Sequence, residues 1–145
     1  MADMHTEHLN NVRLGWVVAG WFVSVAVTSV VLIVLAGLQL VDTDPITGSL
    51  WSVLAVAIGF WIGGFFTGLR VLQAPILHGI SIGLTSLIFW FFLNVAADVA
   101  FGLAAWAGLT PTLTAAIMLE QMVVAVAGAW VGYRVAQRGG AELAE

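Results

Sequence analysis

The sequence predicts an all-α, polytopic membrane protein with four transmembrane helices, built as two tandem repeated hairpins. Hydrophobic residues make up 61% of the 145-residue chain, charged residues make up 8%, and the mean hydropathy is +1.07. A water-soluble domain of this length cannot bury that much apolar surface. Four apolar segments are long enough to cross a hydrocarbon core of about 30 Å, which takes roughly 20 helical residues. They are approximately Leu14–Leu38, Leu50–Leu69, Gly79–Leu103 and Thr112–Val135.

The segments are continuous apolar runs, which favours helices over the alternating strands of a membrane barrel. The first segment is longer than the apolar core of a signal peptide, and its leader carries Asp3 and Glu7, so we interpret it as a retained anchor. The chain has no cysteine, which excludes disulfides, thiolate metal sites and c-type haem attachment.

Two stretches that close long apolar segments match at a fixed offset of 64 residues. They are GFFTGLRVLQ at 64–73 and GAWVGYRVAQ at 128–137. The identical pairs are Gly64 and Gly128, Gly68 and Gly132, Arg70 and Arg134, Val71 and Val135, and Gln73 and Gln137. Arg and Gln are scarce in this chain, so their recurrence indicates a duplication. We predict one membrane domain with repeat 1 at about 13–73, repeat 2 at about 77–137, and short polar tails at 1–12 and 138–145.

The basic residues predict the orientation of the chain. With an even number of spans between them, all four fall on one side of the membrane, and the positive-inside rule makes that side cytoplasmic. They are Arg13, Arg70, Arg134 and Arg138. We therefore expect a multi-pass protein of the inner membrane with cytoplasmic N- and C-termini and with the loop that holds Asp42 and Asp44 outside. Repeats two spans apart keep the same orientation, so an axis along the membrane normal should relate them.

Glycines at four-residue intervals predict where the helices meet. Such stripes let backbones approach closely in lipid, where no hydrophobic drive holds helices together. The set comprises Gly59, Gly63, Gly64, Gly68, Gly79, Gly83, Gly128 and Gly132. The alternative is that these glycines line a narrow path for a solute.

Two glycine motifs in the middle of the chain carry a resemblance. One helix ends with GGxxxGxR, and the following turn is LHGxxxG. The matching residues are Gly63, Gly64, Gly68 and Arg70, then Leu77, His78, Gly79 and Gly83. In these motifs the chain resembles small four-helix bacterial integral membrane proteins of unassigned function. The resemblance implies a polytopic fold and brings no catalytic residue.

Polar side chains inside the predicted spans are the candidate functional residues, because an ionisable group at bilayer depth costs about 2.5 to 3.5 kcal/mol on insertion scales. Together with Trp90, they could form a cluster in the outer half of the membrane: Asn94, Asp98, Glu120 and Gln121. The chain has no Lys and every Arg is predicted at the opposite surface, so no cation of its own can pair with either acid. Three alternatives follow: protonation, binding of a proton or small cation, or pairing with a basic residue of another subunit. Asp98 could also simply extend to the interface.

The histidines give weak support for a cofactor or metal. His78 could be a haem ligand or a proton-exchange group, but no other His lies within a span, so we expect a structural hydrogen bond in the turn. His5 and His8 lack a third metal ligand. We predict no cofactor and no metal, while haem, quinone or a pigment beside the deeper Trp residues stays open.

Enzyme activity is not expected, because no nucleophile beside a base, no HExxH motif and no phosphate-binding loop occur. Nucleic-acid binding has no support. Two function classes remain: a non-catalytic accessory or structural subunit that packs with other membrane subunits or self-associates, or a small oligomeric channel or transporter in which Asp98 and Glu120 handle a cation, proton or small solute. Membrane lipids are the expected surroundings in both classes.

Overall fold

The computed structural model describes residues 8–41, 45–71, 73–102 and 111–142, with side chains for all of these except 45–49, 111–113 and 140–142. A short 3₁₀ turn at Leu9–Asn11 precedes four helices: α1 (Leu14–Gly37), α2 (Pro45–Arg70), α3 (Pro75–Phe101) and α4 (Pro111–Glu142). All four are long and apolar enough to cross a membrane, and the described residues contain no strand. The predicted all-α class, with four helices that could each cross a membrane, is confirmed. The acidic loop with Asp42 and Asp44, and His5 in the leader, lie outside the described residues.

Three helices begin earlier in the sequence than the predicted apolar segments, and α4 also ends later than its predicted segment. Three helices begin at a proline, which lacks an N–H that the first turn could not pair in any case. α4 runs on to Glu142, so the predicted polar tail from residue 138 is helical as far as that residue. The helix continues through Gly139 and Gly140 because each glycine costs only about 1 kcal/mol relative to Ala, and the Ala and Glu that follow are strong helix formers.

Left-handed residues close two helices. At the end of α1, Gln39 has a φ of 59°, the Leu40 N–H donates to the Leu35 carbonyl at 3.0 Å, and the Gln39 N–H donates to Ala36 at 2.9 Å. This pair of bonds is a Schellman ending with Gln in the position that glycine usually takes. At the end of α3, Gly102 has a φ of 64° and its N–H bonds the carbonyl of Asp98.

The four helices form a bundle in which α2 and α4 are the most extensively paired. They run parallel, since Gly64 lies beside Ala125 and Gly68 beside Ala129. α1 packs antiparallel on α2, and α3 packs antiparallel on α4. α1 also touches α3, which closes the bundle. This order places the described N-terminal residues and the end of α4 at the same end of the molecule.

A small apolar core lies between α1, α2, α3 and α4. It contains Val17, Trp21, Phe60, Ile82 and Ala125. The Trp21 ring stacks on Phe89 of α3 with 4.1 Å between ring centroids. Large apolar side chains elsewhere point outward, as expected for a surface that faces lipid chains rather than water.

Candidate functional site

Glycines of α2 and α4 make reciprocal contacts. Gly64 faces the backbone carbonyl of Ala125, and Gly128 faces the backbone carbonyl of Trp61. At the 64-residue offset, Gly64 corresponds to Gly128, and Trp61 corresponds to Ala125. The glycine of α2 therefore contacts α4 at the position equivalent to the one at which the glycine of α4 contacts α2. Gly68 with Ala129 and Gly132 with Phe65 repeat the relation one turn further along.

The remaining predicted packing glycines lie within the two hairpins. Gly59 and Gly63 of α2 face Ser24 of α1, and Gly79 and Gly83 of α3 face Val126 and Met122 of α4. A Cβ at any of these glycines would collide with the facing helix. The space between α2 and α4 at the level of Gly64 and Gly68 therefore does not admit a methyl group, and a solute path along this contact is excluded.

Sequence reasoning did not identify the polar and small residues through which α1 and α2 pack together, which lie on both helices. Ser24 and Thr67 are fully buried. The Ser24 hydroxyl donates to the Gly20 carbonyl at 2.9 Å, and the Thr67 hydroxyl donates to the Gly63 carbonyl at 3.0 Å and to the Trp16 carbonyl at 3.3 Å. Gly20, Ser24 and Thr28 recur every four residues, so the small-residue pattern on α1 was the signal that could have revealed this contact.

The four polar candidates divide by exposure. Asn94 and Gln121 are each 8% exposed, whereas Asp98 is exposed and Glu120 is half-buried. The Asn94 side-chain amide donates to the Trp90 carbonyl at 2.8 Å, which is one turn below it on the same helix. The amides therefore face the bundle interior, and the Asp98 carboxylate faces outward.

The register between α3 and α4 separates the two acids along the bundle. Gly83 lies beside Met122 in this antiparallel pair, so Glu120 falls near the level of Thr85. Asp98 is 98 − 85 = 13 residues further along α3, which is about 20 Å at 1.5 Å per residue. A single compact cluster of both acids is not supported by this register. The separation arises because α3 extends well beyond the start of α4 at Pro111.

Three buried polar atoms have no hydrogen-bond partner among the described residues. They are the Trp21 indole nitrogen, the Thr28 hydroxyl and the Gln121 side-chain carbonyl. Each belongs to a helix face that packs inside the bundle. Burying such atoms without a partner costs about 1–3 kcal/mol each.

His78 is fully buried and both ring nitrogens are used. Nε2 accepts a hydrogen bond from the Arg13 N–H at 2.9 Å, and Nδ1 lies 2.8 Å from the Ala74 carbonyl oxygen. Because Nε2 accepts, the proton of the neutral ring is on Nδ1 and is donated to Ala74. An imidazole held in this way has no lone pair left for a haem iron, so the ring acts as a tie between the start of α1 and the start of α3.

The four Arg residues lie at one end of the bundle, which we call the arginine end. Arg13 precedes α1, Arg70 ends α2, and Arg134 and Arg138 lie in the last turns of α4. The Arg70 guanidinium lies 5.9 Å from the Trp16 ring centre, and that of Arg134 lies 4.4 Å from the Trp130 ring centre. Both distances suit cation–π contacts.

Metal-binding groups do not come together in the part of the chain that the structure describes, where no three His, Asp or Glu side chains converge. Comparison of the chain with protein-family models, with curated proteins and with solved structures finds no significant match.

Proposed function

We propose that this chain is a non-catalytic, multi-pass subunit of the inner membrane that packs in a larger complex through the outward-facing acids of α3 and α4, with its arginine end in the cytoplasm. The observation that supports this proposal is the position of the two acidic side chains. Asp98 is exposed and Glu120 is half-buried on the outer side of a closely packed bundle. A carboxylate at membrane depth needs a partner, and Glu120 is at such a depth, because it lies about 21 Å from the level of Arg134 in a hydrocarbon core of about 30 Å. Asp98 lies about 20 Å further along, at the outer end of α3, where a partner can reach it from outside the core.

The chain itself supplies no cation near either acid. It has no Lys, and all four Arg lie at the arginine end. Glu120 and Arg134 are on the same helix and 134 − 120 = 14 residues apart, which is about 21 Å. A Lys or Arg on a neighbouring transmembrane helix is the partner that this geometry fits, because burying a lone carboxylate in lipid is far costlier than burying a paired one.

We further propose that the two hairpins arose by duplication of one ancestral hairpin. The exchange of partners between Gly64 with Ala125 and Gly128 with Trp61 supports this, since a pseudo-twofold axis between α2 and α4 requires such exchange. The acids belong to the second hairpin only, so the copies would have specialised after duplication.

A channel or transporter assembled from several copies is the second candidate. The acids are on the outside of the bundle, so they could line a pore between several copies of the chain but not a path through the middle of one copy. Asp98 and Glu120 would then contact the cation or proton in turn along the path.

Purification after replacing Glu120 discriminates between the two candidates. Glu120→Gln removes the charge and keeps the size, while Glu120→Asp keeps the charge as the matched control. For an accessory subunit, we expect Gln to release copurifying membrane proteins and Asp to retain them. For a channel, wild-type protein purifies as a homo-oligomer, and Gln abolishes ion flux in proteoliposomes. If Glu120→Gln and Asp98→Asn, alone and combined, leave both the assembly and the flux unchanged, the proposed role of the acids is wrong.

A further inference from the structure

A polar cavity and an apolar groove meet at Arg13 on the arginine end of the bundle. The cavity has a volume of about 190 Å³ and is lined by Asn10, Asn11, Arg13, Val71 and Gln73. The groove has a volume of about 370 Å³ and is lined by Arg13, Gly15, Trp16 and Ala19. Arg13 lines both, so a polar and an apolar space lie on either side of one residue.

The chemistry of the cavity suits an anion that carries phosphate. Among the described residues, those that line the cavity carry one guanidinium group and three side-chain amides, and none of them is acidic. A guanidinium group donates in a planar fork that matches two phosphate oxygens, and amide N–H groups add further donors. Arg13 is exposed, so its charged head is accessible from solvent.

The groove continues this site along a face of α1 that would contact lipid chains. Gly15 and Ala19 are one turn apart on that face, and a Cβ at Gly15 would meet no atom within 4 Å, so the groove is open there. Trp16 forms its wall, with the Arg70 guanidinium 5.9 Å from the ring centre. A second positive charge thus flanks the groove.

We propose that this site binds an anionic phospholipid, with the phosphate-bearing head group in the cavity at Arg13 and one acyl chain in the groove over Gly15 and Ala19. A free phosphate would use the cavity alone, whereas only a lipid uses both halves. The position at the end of membrane-spanning helices is where lipid head groups lie, and basic pockets there commonly take anionic lipids. The proposal goes beyond the proposed function and does not depend on it.

The second hairpin offers a built-in comparison. Gln137 is the residue that matches Gln73 at the 64-residue offset, and its side-chain amide donates to the Tyr133 hydroxyl one turn away. Gln73 lines the cavity instead. The site is therefore a feature of the first hairpin, and substitutions at residues 137 and 138 control for loss of an amide or of a charge at the same end of the molecule.

Native mass spectrometry of the purified full chain tests the proposal with phosphatidylglycerol and phosphatidylcholine of identical acyl chains, and with inorganic phosphate as a competitor. We expect tighter binding of phosphatidylglycerol, and an affinity loss of about tenfold or more for Arg13→Gln because a charge-assisted contact is removed. Gln73→Leu should weaken phosphatidylglycerol binding less. Gly15→Leu should weaken both lipids by filling the groove. Arg138→Gln, Gln137→Leu and Gly37→Leu should bind as wild type.

Three results would overturn the proposal. Equal losses for Arg13→Gln and Arg138→Gln would mean that only overall charge matters. Unchanged lipid binding by Gly15→Leu would remove the acyl chain from the groove. Competition by inorganic phosphate at the affinity of the lipid would make this a site for a free anion. Arg13→Gln keeps the backbone N–H that bonds His78, so the variant should fold, and its helix content by circular dichroism checks this. Gln73→Leu tests the head-group cavity a second time, at a different residue.

Discussion

The Nε2 atom of His78 accepts a hydrogen bond from the backbone N–H of Arg13 at 2.9 Å, although 65 residues separate them along the chain. The same ring lies 2.8 Å from the Ala74 carbonyl oxygen through Nδ1. Ala74 has a left-handed backbone with a φ of 51°, directly before Pro75. One buried imidazole thus ties together the start of α1 and the turn between α2 and α3.

Replacing His78 should lower the stability of the folded bundle. His78→Ala leaves the Arg13 N–H without its side-chain partner, at about 1–3 kcal/mol for a buried group left unpaired. The Ala74 carbonyl loses one of two bonds, because it still accepts the backbone N–H of residue 78 at 3.1 Å. His78→Gln can place its carbonyl oxygen near the Nε2 position and should recover part of the loss. Thermal unfolding in detergent measures both. An unchanged melting temperature for His78→Ala would show that these bonds are not formed in the folded protein.

Glycine substitutions should separate the helix contact faces from the open faces. Gly64→Ala and Gly132→Ala place a methyl against a backbone carbonyl of the facing helix, which cannot move aside independently, so we expect a loss of about 1–3 kcal/mol. Gly15→Ala and Gly139→Ala are the matched controls, since a Cβ there meets nothing within 4 Å. These should be neutral or stabilising by up to about 1 kcal/mol through helix propensity. Equal effects at both sets, measured by thermal unfolding, would contradict the parallel α2 and α4 contact.

Replacing Gln121 with an apolar residue should stabilise the isolated protein. Its side-chain carbonyl is buried and has no partner among the described residues, so the folded chain bears a desolvation cost of about 1–3 kcal/mol. Gln121→Met keeps the length of the side chain and removes that cost. We expect a higher melting temperature in detergent. A lower one would mean that the amide is hydrogen-bonded in the membrane, and loss of copurifying proteins would place a partner at Gln121.

Cysteine labelling should place the two ends of the bundle on opposite membrane faces. The chain has no cysteine, so Leu38→Cys after α1 and Gly139→Cys near the end of α4 each introduce a single thiol. Both positions are exposed. With the arginine end in the cytoplasm, an impermeant maleimide should label Leu38→Cys in intact cells and Gly139→Cys only after permeabilisation. Labelling of both before permeabilisation would refute the four-span topology, and the reverse pattern would invert the proposed orientation.

The surroundings of Asp98 and Glu120 could not be predicted from the sequence, because they depend on how far α3 and α4 are shifted along each other. Asp98 and Glu120 are both near the outer ends of their own segments, so counting residues from those ends places them close together. In the structure, α3 extends beyond the start of α4, and the packing of Gly83 on Met122 sets the offset between the two acids. Hydropathy does not encode that offset, because many registers bury equally apolar surfaces.

The apolar content of the chain by itself determined the four helices, because every backbone polar group in a bilayer must be bonded within its own helix. The fixed 64-residue offset also pointed to the glycines along which two of them meet. Only the tertiary structure decided that α2 and α4 are the parallel central pair, that both ring nitrogens of His78 bond backbone groups, and that Arg13 lines both a polar cavity and an apolar groove. Each of these depends on residues far apart in sequence reaching van der Waals or hydrogen-bond distance, and only packing in three dimensions fixes which ones do.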